Sequence, residues 1–284
     1  MIRNFLTRAL RGEGMARRAV FQVLLLGISL ATLFPIYFVV VSSFKSHKEY
    51  LYNLFGLPQA PTLENFQQAL RQGHLLVWFG NSVVVTVITV IVVTLLSSAA
   101  AFATSKMQFK GRQALLKVMV SLMIMPPVVM VIPLFILMVR VQLINNFTSV
   151  ILIYAGLLCP FSVYLLNSFF GSIHNEILAA AAIDGCSTFQ IFRYIILPLS
   201  GPAITTLVVV NGLWVWNELM ISLIFLQGDE IRTLMAGLTQ FQGRFTSNQP
   251  LILAGAFLGM LPIMVLYLVG QRYFVRGLTA GAVK

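Results

Sequence analysis

The sequence predicts an all-α, polytopic membrane protein: six membrane-crossing helices, with a polar helix-turn-helix between the fourth and the fifth. Three observations carry that expectation. The 284 residues are 58% hydrophobic and only 10% charged, against about 25% charged in soluble domains; that is more apolar surface than one globular core can hide. The apolar residues fall in six long runs, and about 20 apolar residues suffice to cross a bilayer as a helix. The Lys and Arg residues behind the net charge of +11 gather in alternate connections.

The elements follow in order. Residues 1–19 carry Arg3, Arg8, Arg11, Arg17 and Arg18 against Glu13. Val20 to Val41 is the first span, with a kink expected at Pro35. Arg17-Arg18 before an apolar run is also the pattern of a twin-arginine signal, but the run is too long and no small-residue cleavage site follows. Lys45 to Gly73 is a polar connection in which Thr62 caps a short helix and Glu64 sits at its positive end. Trp78 marks return to the membrane interface. Phe79 to Thr104 is the second span, its small residues from Ser97 to Ala101 suited to close packing. The third, about Leu115 to Val139, is interrupted by Pro126-Pro127 and Pro133, as helices lining protein or water are. Phe147 to Phe170 is the fourth, Ala203 to Leu226 the fifth and Leu251 to Val269 the sixth, with Pro262 inside it.

Charge placement orients these spans. The side holding both termini carries the basic residues of 1–19, Lys106, Lys110, Arg112, Lys117, Arg193, Arg272, Arg276 and Lys284. The other side holds Lys45, Lys48, Arg71, Arg140, Arg232 and Arg244. The positive-inside rule places the first set in the cytoplasm. The expected organisation is a cytoplasmic segment 1–19, a membrane domain 20–270 with a cytoplasmic loop at 172–201, and a cytoplasmic tail 271–284.

That loop is the informative stretch. Asn175 is placed to cap a helix and Glu176 lies in its first turn. Leu178 to Ile183 is alanine-rich and helical, and Asp184-Gly185 stops it. Ser187 and Gln190 form a capping box for a second short helix, along which Phe189, Phe192, Ile195 and Ile196 recur at helical spacing. Pro198 ends that helix and Pro202 starts the next span. Ala179 to Ala182 lack side-chain bulk, so another surface can approach the backbone closely. One basic residue, Arg193, is too few for phosphate contacts, which argues against nucleic acid.

Catalytic signals are missing from the sequence. There is no G-x-x-x-x-G-K-[ST] and no H-E-x-x-H. His47, His74 and His174 are widely separated, as are Cys159 and Cys186, so neither a metal site nor a disulfide framework is expected. A pump without a nucleotide site must take its energy from a partner. Glu218, in Trp214-Val-Trp216-Asn217-Glu218, is the one carboxylate expected inside a span; such residues face protein or water and are either functional or paired structurally.

The loop resembles the EAA loop of ABC-importer permeases, through Glu176, Ala180, Ala181, Asp184, Gly185, Phe192, Leu197, Pro198 and Pro202. The resemblance implies a coupling element docked in a cleft of the ATPase subunit. The family usually has Glu where Ala179 stands, and Glu176, nearly a turn earlier, takes its place in this reading. Gln271 to Lys284 is similar to the tail of MalG-type permeases of carbohydrate importers, with further matches at Thr233-Leu234, Gly237-Leu238, Phe241-Gln242-Gly243, Pro61 to Phe66 and Asn81-Ser82. It implies that Gly277, Leu278, Thr279, Ala280 and Gly281 reach the ATPase, Gly277 and Gly281 letting a small-residue strand thread a narrow gap. Trp214, Asn217 and Glu218 resemble a W-N-[DE] stretch beside the translocation path, where the aromatics could stack on a sugar.

The expected assembly has a second homologous permease, an ATPase dimer carrying ATP and Mg, and an external sugar-binding protein, with no cofactor on this chain. Importing a glycerol phosphate would call for cations near the path, and the spans show none clearly. An ion-coupled secondary transporter would need several intramembrane charges and an inverted repeat. A membrane enzyme would need a catalytic cluster.

Overall fold

The computed structural model describes residues 2–72, 74–241 and 248–280, and among them it is helical with no strand. In chain order the helices are α1 (Ile2–Ser43), α2 (His47–Tyr52), α3 (Glu64–Gln72), α4 (Leu75–Lys106), α5 (Arg112–Leu122), α6 (Pro127–Arg140), α7 (Phe147–Ser172), α8 (Asn175–Ile183), α9 (Thr188–Ile191), α10 (Leu197–Leu199), α11 (Gly201–Asn217), α12 (Met220–Phe225), α13 (Leu234–Leu238) and α14 (Gln249–Ala280). A π-helical turn, Phe192–Ile196, joins α9 to α10. Three helical stretches are long and apolar enough to cross a membrane singly: Ala19–Ser43, Leu75–Lys106 and Phe147–Ser172. Two bent pairs bring the number to five: α5 with α6, at 102°, and Thr188–Leu199 with α11, at 76°.

Contacts divide the chain into two units, 1–69 with 244–258, and 70–243 with 259–284. In the first unit α1 runs on through Pro35, which does not end it. After Ser43 the chain closes a buried polar knot. The fully buried Lys45 Nζ donates to the carbonyls of Asn53 (2.6 Å) and Leu54 (3.1 Å), and Asn65 Nδ2 donates to those of Ser43 and Lys45. Burial pushes the Lys45 ammonium below the usual lysine range, against the pull of Glu49. Glu49 accepts the Gln59 N–H at 2.6 Å, which holds its carboxyl below the usual range. Thr62 Oγ1 accepts the Glu64 N–H at 3.1 Å, the cap expected for α3.

In the second unit α4 and α7 form the central pair. Val85, Val93, Val150, Ile153 and Tyr154 meet Ile221 and Phe225 in one apolar cluster. Neither helix has one polar face, and the sides turned away from the cluster still carry exposed apolar residues such as Ile91, Leu95 and Leu152, as suits a helix surrounded by lipid rather than water. The third expected span is no single rod. Pro126 has no N–H to continue α5, the chain turns through Met123–Met125, and α6 leaves with Pro127 in its first turn.

Trp78, expected at the membrane interface, is buried within the protein. Its Nε1 donates to the Asp229 carbonyl at 2.7 Å, and Asn81 Nδ2 donates to the carbonyls of Glu230 and Arg232. Ser82 Oγ accepts the Leu234 N–H, while Asn145 Oδ1 accepts those of Gln227 and Gly228. The 227–241 connection is thereby stapled to α4 and, through Asn145, to the turn between α6 and α7. Gly237 lies flat on the Trp78 indole, where a Cβ would come 2.1 Å from a ring carbon. Gly237→Ala is expected to destabilise the protein by about 2 kcal/mol, seen as a lower melting temperature, with Trp78→Leu in the same chain restoring part of the loss. Within the matched Phe241-Gln242-Gly243, Phe241 packs on Trp78 at 6.0 Å between ring centroids, and Gln242 and Gly243 lie outside the described residues.

The tail departs from expectation. α14 runs on through Pro262 and carries Gly277, Leu278, Thr279 and Ala280 as helix, not as a threading strand. Glycine in a helix costs about 1 kcal/mol, which the flanking long apolar helix absorbs. Gly281 lies outside the described residues.

Candidate functional site

Two places gather the residues singled out by sequence. The first is the helix-turn-helix of α8 and α9. α8 ends as the glycine predicted: Gly185 has φ +85°, its N–H donates to Ala182 O (3.1 Å), and the Cys186 N–H reaches Ala181 O (3.0 Å). These two bonds close a Schellman motif, which only a residue at ease in the left-handed region makes without strain. The capping box is present, with Gln190 N–H to Ser187 Oγ at 3.3 Å and Ser187 N–H to Gln190 Oε1 at 2.7 Å.

Two local expectations are corrected. The N-cap of α8 is His174, not Asn175. The Asn175 side chain instead accepts from Lys106 Nζ at 2.9 Å, and the same ammonium donates to Ile173 O. Lys106 therefore ties the end of α4 to the end of α7, satisfying a terminal helix carbonyl. Pro198 does not end the second helix. It follows the π turn, in the first turn of α10; the helix runs one residue further to Leu199, and the bend falls at Ser200 before α11.

Exposure sorts the predicted residues. Glu176, Ala179, Ala180, Asp184 and Gly185 are exposed. Ala181 is buried and Phe192 half-buried, its ring 5.1 Å from that of Phe102 on α4. With Ile191 and Ile196 they join Phe102, Leu166, Phe170, Ala203 and Leu207 in one cluster. The turn is thus presented outward on a base welded to α4, α7 and α11. Sequence reasoning missed two exposed apolar side chains there, Ile183 (87% exposed) and Tyr194, and Phe189, read as part of an apolar stripe, is exposed as well. A large aliphatic residue directly before Asp-Gly was the available signal, since such a position at a helix end has no core to face.

The second place is the break between α11 and α12. The fifth expected span stops at Asn217, and Glu218 is the cap residue. Glu218 Oε1 accepts the Ile221 N–H at 3.0 Å, and Oε2 accepts the Ser222 N–H (3.2 Å) and the Tyr154 hydroxyl (2.7 Å). A carboxylate at a helix N-terminus satisfies otherwise orphaned donors and the helix dipole. Tyr154 is fully buried, also bonds Ser222 Oγ, and meets Trp214 edge-on at 5.7 Å. Asn217 is exposed, its amide returned to Leu213 O. Glu218 and Trp214 thus share Tyr154, while Asn217 points elsewhere. Among the described residues no three His, Cys, Asp or Glu side chains gather as a metal site would require.

Comparison with known proteins fits this geometry. The family model for the binding-protein-dependent transport system inner membrane component matches residues 94–280. The chain is 33% identical over 261 residues to the arabinooligosaccharides transport system permease protein AraQ of Halalkalibacterium halodurans, covering 90% of this chain and 93% of that one. It is 30% identical over 258 residues to the melibiose/raffinose/stachyose import permease protein MelC of Bacillus subtilis, again 90% and 93%. Its fold is similar to a chain in the crystal structure of a bacterial ABC transporter involved in the import of the acidic polysaccharide alginate, with a TM-score of 0.80 and 22% identity over 94% of this chain and 98% of that one.

Proposed function

The chain belongs to the family of binding-protein-dependent transport system inner membrane components, and from that premise we propose that it is a permease subunit of an ATP-driven importer of sugars, most simply di- or oligosaccharides. The observation that carries the proposal is the outward-facing turn at Gly185, braced on α4, α7 and α11 through Ala181, Phe192 and Ile196. A turn so mounted can receive a push and pass it into three helices at once. In this reading the protein crosses the cytoplasmic membrane six times, the last time in α14, with both termini and the 172–201 loop inside. The segments are 1–19, 20–270 and 271–284.

Two ATPase subunits, which hold the ATP and Mg, grip the exposed face formed by Glu176, Ala179, Ala180, Asp184 and Gly185, with Ile183 and Phe189 as the apolar contact. Gly277 to Gly281 extend the same contact. Closure of the ATPases swings the loop, and the path between this chain and a second homologous permease turns outward to receive sugar from an external binding protein. Trp214, Asn217 and Glu218 stand beside that path, Glu218 holding the α11–α12 break in shape. This chain itself performs no hydrolysis.

The test is reconstitution. The protein is purified with the subunits it retains, placed in proteoliposomes and supplied with sugar-loaded binding protein outside. Uptake is expected only with ATP at the ATPase face. Uphill uptake driven by a proton or sodium gradient through this chain alone would overturn the assignment.

A further inference from the structure

We propose that the segment 51–57, which closes α2 and follows it, is an interfacial membrane anchor: it seats among the lipids beside the Ser43 end of α1, in the outer leaflet if the orientation above holds. Leu51, Tyr52, Phe55 and Leu57 are each more than half exposed, and Leu54 is exposed too. No charged residue falls between Leu51 and Leu57. Single exposed apolar side chains are ordinary on a protein surface, but a run of them marks something that covers it.

α1 sets the depth of the segment. The Phe55 ring stands 5.9 Å from that of Phe34 and 6.0 Å from that of Phe38, and the Tyr37 hydroxyl donates to Phe55 O at 3.0 Å. The chain therefore turns back after α2 and lies along α1, level with residues inside the apolar stretch Ala19–Ser43. Counted from Ala19, about 20 residues of helix cross the hydrocarbon layer, which brings its far boundary close to Tyr37 and Phe38. Phe55 thus meets α1 at the edge of that layer. Phe34 and Tyr37 are themselves exposed, so Phe55 carries the apolar surface of α1 on into the segment.

Irregular backbone is costly there, because lipid offers its polar groups no partner. The protein meets that cost from its own side chains. Lys45 Nζ holds the carbonyls of Asn53 and Leu54, and Tyr37 holds that of Phe55. Asn53 Oδ1 accepts the Gly56 N–H at 3.1 Å, while its Nδ2 donates to Leu57 O at 2.9 Å. Glu49 accepts the Gln59 N–H. The buried knot of Lys45 and Glu49 thereby spares the loop a need for water. A loop facing water needs no such provision, since water would satisfy the same groups. Tyr52 suits the boundary by type, its ring in the apolar layer and its hydroxyl among the headgroups. A soluble protein partner is the less apt occupant, because the segment offers it no charge to pair with.

The test is fluorescence of the permease complex in proteoliposomes, with an environment-sensitive label on one cysteine in a Cys159→Ser, Cys186→Ser background. The sites are Tyr52→Cys and Leu57→Cys, with Glu64→Cys as the wet control. Glu64 is exposed, and its neighbour Asn65 is tied to the carbonyls of Ser43 and Lys45, beyond the boundary turn of α1. Labels at positions 52 and 57 are expected to emit further to the blue than the label at 64. They should be quenched by phospholipid carrying a nitroxide near its headgroup and shielded from iodide in the water; the label at 64 should behave in the reverse way. Iodide quenching at 52 and 57 as strong as at 64 would put the segment in water and overturn the proposal. Resistance to both quenchers would mean that protein covers the segment, and would overturn it too. So would loss of the lipid quenching when sugar-loaded binding protein is added. None of these measurements depends on uptake, so a complex that shows the lipid quenching and imports no sugar would overturn the importer reading alone.

Discussion

Gly185→Pro is expected to abolish sugar uptake while the complex still inserts and its ATPases still turn over. Proline fixes φ near −65°, and Gly185 sits at +85°. Proline also lacks the N–H that reaches Ala182 O. Both bonds of the Schellman motif depend on that one conformation, so α8 loses its stop and α9 its direction. The cluster of Ile191, Ile196, Phe102 and Phe170 stands below the turn and keeps the base folded. Gly185→Ala should be intermediate, because a non-glycine residue in the left-handed region costs about 1–2 kcal/mol. Uptake and ATPase rates measured on the same proteoliposomes check this. Normal uptake by the proline variant would remove the turn from the coupling path.

The second large effect concerns Glu218. Glu218→Ala strips the acceptor from the N–H groups of Ile221 and Ser222 and from the buried Tyr154 hydroxyl. Unmet donors of this kind cost about 1–3 kcal/mol each, so a loss of about 3 kcal/mol is expected, read as a lower melting temperature of the complex. Glu218→Gln retains one acceptor oxygen and should recover part of it. If the carboxylate were an acid working in transport, the pattern would be opposite. Glu218→Gln would then keep full stability and lose uptake.

Much of the helix-turn-helix was legible in the sequence because its signals are local. Gly185, the Ser187/Gln190 pair and Pro202 act within a few residues of themselves, and each does what its chemistry dictates. Long-range demands were not legible. Asn175 is a good cap by type, yet Lys106, 69 residues away, claims its side chain. Trp78 was read from its position alone, and its contacts with the Asp229 carbonyl and the flat face of Gly237, about 150 residues on, were not legible. Glu218 read as an acid within one continuous span; the helix break it caps left no mark in hydropathy, since the flanking residues are equally apolar. Pro198 looked terminal, and the helix ends one residue past it at Leu199, after a π turn that the sequence did not signal.

Residue 183 offers the most direct test of the whole account. Ile183 stands 87% exposed beside the Gly185 turn, so an Ile183→Cys variant in a Cys159→Ser, Cys186→Ser background presents one accessible thiol. The account predicts no labelling by a membrane-impermeant maleimide in intact cells, labelling in inside-out vesicles, and protection there when the ATPase subunits are bound. Labelling in intact cells would place the loop on the wrong side of the membrane and contradict it.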